Sequence, residues 1–112
     1  MNHKGVNREI LLALWKIHIL HHAAEDAGGV VGNWMLEELR HHGYEVSPGT
    51  LYPILARMAR FGWLKCDRPV GRRNTRERRS YVITAEGRKV LALVQRQLAE
   101  LRGEMKVKGN KA

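Results

Sequence analysis

The sequence is short of the residues on which several kinds of small protein depend. Among its 112 residues there is a single cysteine, Cys66, so one chain can hold neither an internal disulfide nor a Cys-based zinc ribbon or iron–sulfur cluster. A lone cysteine also fits a reducing compartment. No phosphate-cradling glycine loop, Ser-His-Asp arrangement or paired-carboxylate cleft is recognisable, so the chain reads as a non-enzyme with no cofactor. Long apolar runs are lacking too. The stretch Ile10–Leu20 is interrupted by Lys16 and His18 and followed by Glu25-Asp26, which makes it too short for a bilayer and a poor secretory signal. We therefore expect a cytoplasmic protein with no membrane partner. Acidic residues are scarce in one half only. Residues 51–112 carry 16 Lys and Arg against 5 Asp and Glu, and residues 1–50 carry 4 against 6, so +11 and −2 make up the net +9. Positive charge confined in this way points to a polyanionic partner, nucleic acid ahead of an anionic membrane.

What is present suffices for one small packed domain. Leu, Ile, Val and Phe make up 28 of 112 residues, above the range of disordered chains. At this size stability is marginal and oligomerisation favourable. A first helix is expected over 7–27, from Asn7 to the stop at Gly28-Gly29. Its apolar residues run most of the way round, which calls for cover on more than one side. Val30-Val31 is at most a strand stub. A second helix follows from about Asn33 to His42, burying Met35, Leu36 and Leu39 and ending at Gly43. Ser47-Pro48 introduces a third, with Pro53 awkward inside it. Its core face carries Leu51, Ile54, Leu55, Met58 and Phe61, and its outward face Tyr52, Pro53, Ala56 and Arg60, flanked by Thr50 and Arg57. Trp63–Arg68 and Ser80–Ile83 read as two strands of a hairpin. Thr84 caps a last helix from Ala85, where Leu91, Val94, Leu98, Leu101 and Met105 step by 3 and 4 as a coiled-coil seam. The expected class is mainly α with a small β-hairpin: a winged helix-turn-helix over 1–84, a dimerisation helix over 85–105, and a basic tail over 106–112.

The third helix and the hairpin carry the chemistry. A helix entering the major groove needs small residues for close approach, donors near its N-terminus and cationic reach. Ala56 and Ala59 supply the first, Ser47, Thr50 and Tyr52 the hydroxyls, and Arg57 and Arg60 the charge. An ordinary amphipathic helix with two solvated arginines would look similar. Between Lys65 and Arg79 there are seven basic groups, six of them arginine, against Asp67 and Glu77. Arginine binds phosphate bidentately and fits a narrow minor groove, so Arg72, Arg73, Arg76, Arg78 and Arg79 are candidate DNA contacts rather than a merely solvated charge run.

On the first helix, His18 and His22 share a face with Glu25 three residues beyond. That set can ligate zinc, nickel or copper, but half-buried and solvated histidines are the plainer reading and we expect no metal. His41-His42 suit the C-terminal dipole of the second helix. Cys66 reads as a strand-packing thiol, with redox sensing as the alternative.

Gly32-Asn33-Trp34-Met35-Leu36-Glu37-Glu38-Leu39, Gly43-Tyr44, Ser47-Pro48-Gly49-Thr50-Leu51-Tyr52-Pro53-Ile54-Leu55 and Gly62-Trp63-Leu64 resemble the core of the PadR family of winged-helix transcription regulators. Arg79-Ser80-Tyr81-Val82-Ile83-Thr84-Ala85-Glu86-Gly87 is similar to that family's R-x-Y-x-x-T-x-x-G stretch. The matches lie within residues 32–87, and Asn33 stands where the family usually has tyrosine. The resemblance implies that Ser47, Thr50 and Tyr52 touch DNA and that the C-terminal helix forms a dimer. Trp15, if not simply core, would line a cavity for a flat small-molecule effector at that dimer interface.

From these readings we expect a homodimeric repressor of a palindromic double-stranded operator, released by an effector. Ile10, Leu14 and Ile17 on the first helix would join the seam of the last in the dimer. The alternatives are a metal- or redox-responsive regulator of the same fold, a sequence-independent nucleic-acid binder, and an adaptor that no longer touches DNA.

Overall fold

The computed structural model describes residues 8–67 and 79–109. Four helices and a three-stranded sheet follow in the order α1 (Arg8–Glu25), β1 (Val30–Val31), α2 (Gly32–His41), α3 (Pro48–Arg60), β2 (Leu64–Asp67), β3 (Ser80–Ile83) and α4 (Ala85–Gly109). The expected strand stub is real: β1 pairs antiparallel with β3, Val30 opposite Tyr81 and Val31 opposite Ser80. β2 pairs with the other edge of β3, Leu64 opposite Ile83 through Asp67 opposite Ser80, so the sheet order is β1-β3-β2.

Glycine stops shape the helix-turn-helix. Gly43 follows α2 with φ +91° and Gly62 follows α3 with φ +85°. Both ends close with the double bond pattern of a left-handed C-terminal cap. After α2, Gly43 N–H donates to the Arg40 carbonyl and Tyr44 N–H to that of Leu39; after α3, Gly62 donates to Ala59 and Trp63 to Met58. The Arg40 Nε then donates to the Val46 carbonyl at 3.0 Å, holding the turn that leads into α3. At the N-terminus of α3, Ser47 makes no side-chain cap and its hydroxyl donates instead to that of Thr50 at 3.2 Å.

The core is one cluster. Trp15, Ile19, Leu20 and Ala23 from α1 meet Met35, Leu36 and Leu39 from α2 and Leu51, Tyr52, Ile54, Leu55 and Met58 from α3, with Leu64, Tyr81 and Ile83 from the sheet. Leu91 joins them from the start of α4, 7% exposed. It is therefore packed into the core of its own chain rather than left for a seam with another.

Past Leu91 the helix leaves the core. Leu98, Leu101 and Met105 are 44%, 51% and 60% exposed. α4 also continues four residues beyond the expected end at 105, through Gly103 and into the lysines assigned to a tail. A glycine costs about 1 kcal/mol in a helix, too little to stop one flanked by residues with good helix propensity. No helix among the described residues is long and apolar enough to cross a membrane.

Candidate nucleic-acid interface

α3 presents two unlike faces. Leu51, Tyr52, Ile54, Leu55 and Met58 are buried, while Ser47, Pro48, Gly49, Pro53, Arg57 and Arg60 are exposed and Thr50, Ala56 and Ala59 are half-buried. Gly49, Pro53, Arg57 and Arg60 fall at spacings of 4, 4 and 3, which places them along one stripe. No acidic residue lies anywhere in α3. The stripe thus combines low relief with positive charge, at a helix whose other side is fixed by the core.

Tyr52 corrects the helical-wheel reading. It is 5% exposed and belongs to the core, not to the outward face. At 100° per residue it lies about 60° from Leu55, on a flank rather than opposite. A ring of this size reaches inward from a flank. Phe61 errs the other way. It is expected on the core face but is exposed beyond the helix end, with its ring centroid 4.9 Å from that of Trp63. Arg57 and Arg60 are exposed, Ala56 is half-buried rather than fully outward, and Ser47 and Thr50 lie together at the helix entrance.

Of the hairpin arginines, Arg72, Arg73, Arg76 and Arg78 lie outside the described residues. Arg79 is half-buried at the base of the wing, where its carbonyl accepts the Gly32 N–H at 3.1 Å. Its guanidinium and the Cys66 thiol both act on the Tyr81 hydroxyl. Burial raises the Tyr81 pKa, Cys66 adds to the rise, and the Arg79 charge opposes it. Cys66 is half-buried opposite Tyr81 in the sheet.

The wing is locked to α3 at its far end. Thr84 accepts the Gly87 N–H at 3.0 Å and donates to the Gly62 carbonyl, while its own N–H donates to the Trp63 carbonyl at 3.0 Å. One threonine therefore caps α4 and ties it to the end of α3. A Cβ on Gly87 would overlap the Trp63 carbonyl oxygen and lie 2.8 Å from the Ile83 Cγ1.

The dimerisation candidates on α1 separate in the same way as those on α4. Ile10 and Leu14 are exposed and Ile17 half-buried, and on α4 Val94 is half-buried. Leu14 and Ile17 line a hollow of about 290 Å³ with His18, His21, Leu91, Gln95 and Leu98, between α1 and α4. Trp15 is not among them. It is 4% exposed and packs edge-on against Tyr44, with ring centroids 6.0 Å apart. Its packing is the plain core reading, against the α2–α3 turn.

The histidines also regroup. Glu25 is 3.3 Å from His21 Nε2 and 3.9 Å from His22 Nδ1, both on its own helix. His18 and His22 instead gather with His42, which the sequence assigns only to a helix end. Burial, then the neighbouring imidazoles, hold the His18 pKa below its ordinary value; burial does the same for His22, against the opposing pull of Glu38 and Glu25.

The comparisons with known proteins agree with this architecture. The transcriptional regulator PadR-like family matches residues 19–93. Transcriptional regulator Rv3488 of Mycobacterium tuberculosis is 45% identical over 98 residues, covering 88% of this chain and 88% of its own. Among solved structures, a PadR-like transcriptional regulator of Bacillus cereus superposes with a TM-score of 0.73 at 22% identity, over 88% of this chain and 93% of that one. A regulator from Thermoplasma acidophilum does so with a TM-score of 0.72 at 21% identity and the same coverage. The family match spans more than half of the sequence and the Mycobacterium relative most of it, so this chain belongs to the PadR-like family, a family of transcriptional regulators and not of enzymes.

Proposed function

We propose that the protein is a homodimeric, sequence-specific DNA-binding repressor, acting in the cytoplasm and released from its operator by a small effector. The observation that carries this reading is the acid-free stripe on α3, Gly49, Pro53, Arg57 and Arg60, backed by five buried side chains of the same helix. A recognition helix must be rigid on one side and closely approachable on the other. Ser47 and Thr50 at its entrance supply hydroxyl donors for phosphates, and Arg57 and Arg60 supply charge along the groove. The arginines 72, 73, 76, 78 and 79 of the hairpin then hold backbone or minor groove.

Dimerisation rests on the exposed apolar residues of α4 and α1. A helix of α4's length spans about 37 Å, and its outer part carries Leu98, Leu101 and Met105 exposed among the described residues. A second copy supplies the matching stripe, since a twofold axis sets each residue against the same set. The hollow beside Leu14, Ile17 and Leu98 then lies next to the dimer interface, where a small ligand shifts the relative pose of the two wings.

The test is selection of bound sequences from a random DNA pool by the purified protein. An inverted repeat with half-sites about one helical turn apart, 10–10.5 base pairs, is the expected outcome. Binding without enrichment of any sequence would make the protein a sequence-independent binder, and no binding at all would leave it an adaptor.

A further inference from the structure

α1 and α2 meet in a knot of histidines that neither the core nor the DNA-binding face requires. One ligand atom each from His18, His22 and His42 lies within 4.8 Å of the others. The ring centroids of His18 and His42 are 5.2 Å apart, those of His22 and His42 5.9 Å, and those of His18 and His22 6.3 Å. A carboxylate adjoins them. The Glu38 Oε1 is 3.3 Å from His42 Nε2 and 3.9 Å from His22 Nε2. At 3.9 Å that contact is too long for a hydrogen bond. The His22 Nε2 is buried and has no hydrogen-bond partner among the described residues. Such an atom is costly to leave without a partner.

We propose that His18, His22 and His42, with Glu38 as fourth ligand, bind one divalent late first-row transition cation, zinc in the first instance. Imidazole nitrogen and carboxylate oxygen are the donor types that zinc takes in tetrahedral sites. Metal–nitrogen bonds of about 2.0–2.1 Å put tetrahedral ligand atoms about 3.3 Å apart. The histidine nitrogens must therefore close to that separation from at most 4.8 Å. The Tyr44 hydroxyl, 3.0 Å from His18 Nε2, restrains that ring as outer hydrogen bonds restrain ligating imidazoles.

A second grouping, His21, His22 and Glu25, competes for His22. It lies on one helix, and the His21 and Glu25 side chains are 49% and 63% exposed. Each grouping has three residues, but the α1–α2 one is less exposed and has Glu38 beside it. It also spans two elements, so a bound ion ties α1, with its exposed Leu14, to the first helix of the helix-turn-helix.

The experiment is calorimetric titration of the untagged, chelator-treated full chain with zinc, and a parallel titration with cobalt(II) followed by visible absorption. It reads metal directly and is independent of DNA binding. One zinc per chain is expected, with the intense absorption of tetrahedral cobalt. His42→Gln should weaken zinc binding at least tenfold and remove the cobalt band. His42 is partly exposed at a helix end, so this variant should remain folded, as circular dichroism would verify. His21→Gln and His41→Gln should bind as the unaltered chain does. Absence of stoichiometric zinc, or a His42→Gln chain that binds normally while His21→Gln does not, overturns the assignment.

Discussion

Gly87 and Gly103 both sit inside α4, and the same substitution should act on them in opposite directions. Alanine is favoured over glycine in a helix by about 1 kcal/mol. At Gly103 an added Cβ would meet nothing within 4 Å among the described residues beyond its own stretch of helix, so Gly103→Ala should stabilise by up to about that amount. At Gly87 the methyl meets the Trp63 backbone carbonyl, which cannot swing aside as a side chain would. Gly87→Ala should destabilise by about 1–3 kcal/mol, the range for overpacking. Urea unfolding of both variants at one protein concentration decides this, and equal effects would mean that α4 does not approach Trp63. Thr84→Ala should lose about 0.5–2 kcal/mol as a helix cap. The spacing from Arg79 through Tyr81 and Thr84 to Gly87 is thus legible in physical terms: a buried ring, a cap and a close approach.

The histidines yield a pH dependence for the metal-free chain. In the fold His18 and His22 titrate below the ordinary value of 6.5, chiefly through burial, with His21 and His42 adding repulsion and Glu25 and Glu38 opposing it at His22. Among the described residues the Tyr44 hydroxyl also lies against His18. The unfolded chain therefore binds more protons than the folded one just below 6.5, and stability falls as pH drops through that window. In a chelator, the thermal midpoint should fall from about pH 7 to about pH 5.5, and fall less in His18→Gln. A midpoint with the same pH profile in both chains would show that burial does not control these rings. Nothing in the local sequence forecasts the approach of His42, because it depends on how α2 crosses α1.

Among elements, helix ends are the easiest to foresee. Gly43 and Gly62 mark them directly, since both adopt positive φ that other residues avoid. The strand β1 is foreseeable only as a stub, because two residues carry no period and its partner is fifty residues away in β3. The wheel for α3 separates its two faces but misplaces the flank, where side-chain length decides burial and angle does not. Tyr52 is the instance. The seam on α4 has a similar flaw at one end. Leu91 fits the 3–4 spacing as well as Leu98 does, yet it is buried in the core of its own chain. The wing is tested by its charge. Reversing Arg72, Arg73 and Arg76 together should weaken binding to all DNA sequences and lower the slope of log affinity against log salt by about 0.9 for each phosphate no longer neutralised. An unaltered slope would show that the hairpin takes no part in binding. Thr50→Ala should instead leave the slope nearly intact and lower affinity by about 0.5–1.5 kcal/mol, as removal of a neutral donor does.

For the whole molecule, two recognition helices must be held about 34–36 Å apart to engage both halves of a palindrome. In the proposed homodimer that spacing would fall to α1 and α4, where Ile10, Leu14, Leu98, Leu101 and Met105 lie exposed in the single chain. Burying one leucine stabilises by about 1.5–3 kcal/mol, and a twofold interface counts it in each subunit. Leu98→Glu removes both contributions and forces two carboxylates into an apolar interface, enough to dissociate a micromolar dimer. Because Leu98 is 44% exposed in the chain alone, the monomer should keep its fold. The decisive measurement is sedimentation equilibrium of Leu98→Glu alongside titration of the same preparation with the selected operator. The expected result is a folded monomer that binds DNA weakly, salt-sensitively and without preference for the operator. A Leu98→Glu chain that remains dimeric, or a monomer that holds the operator at full affinity, would contradict the assignment of dimerisation to these helices.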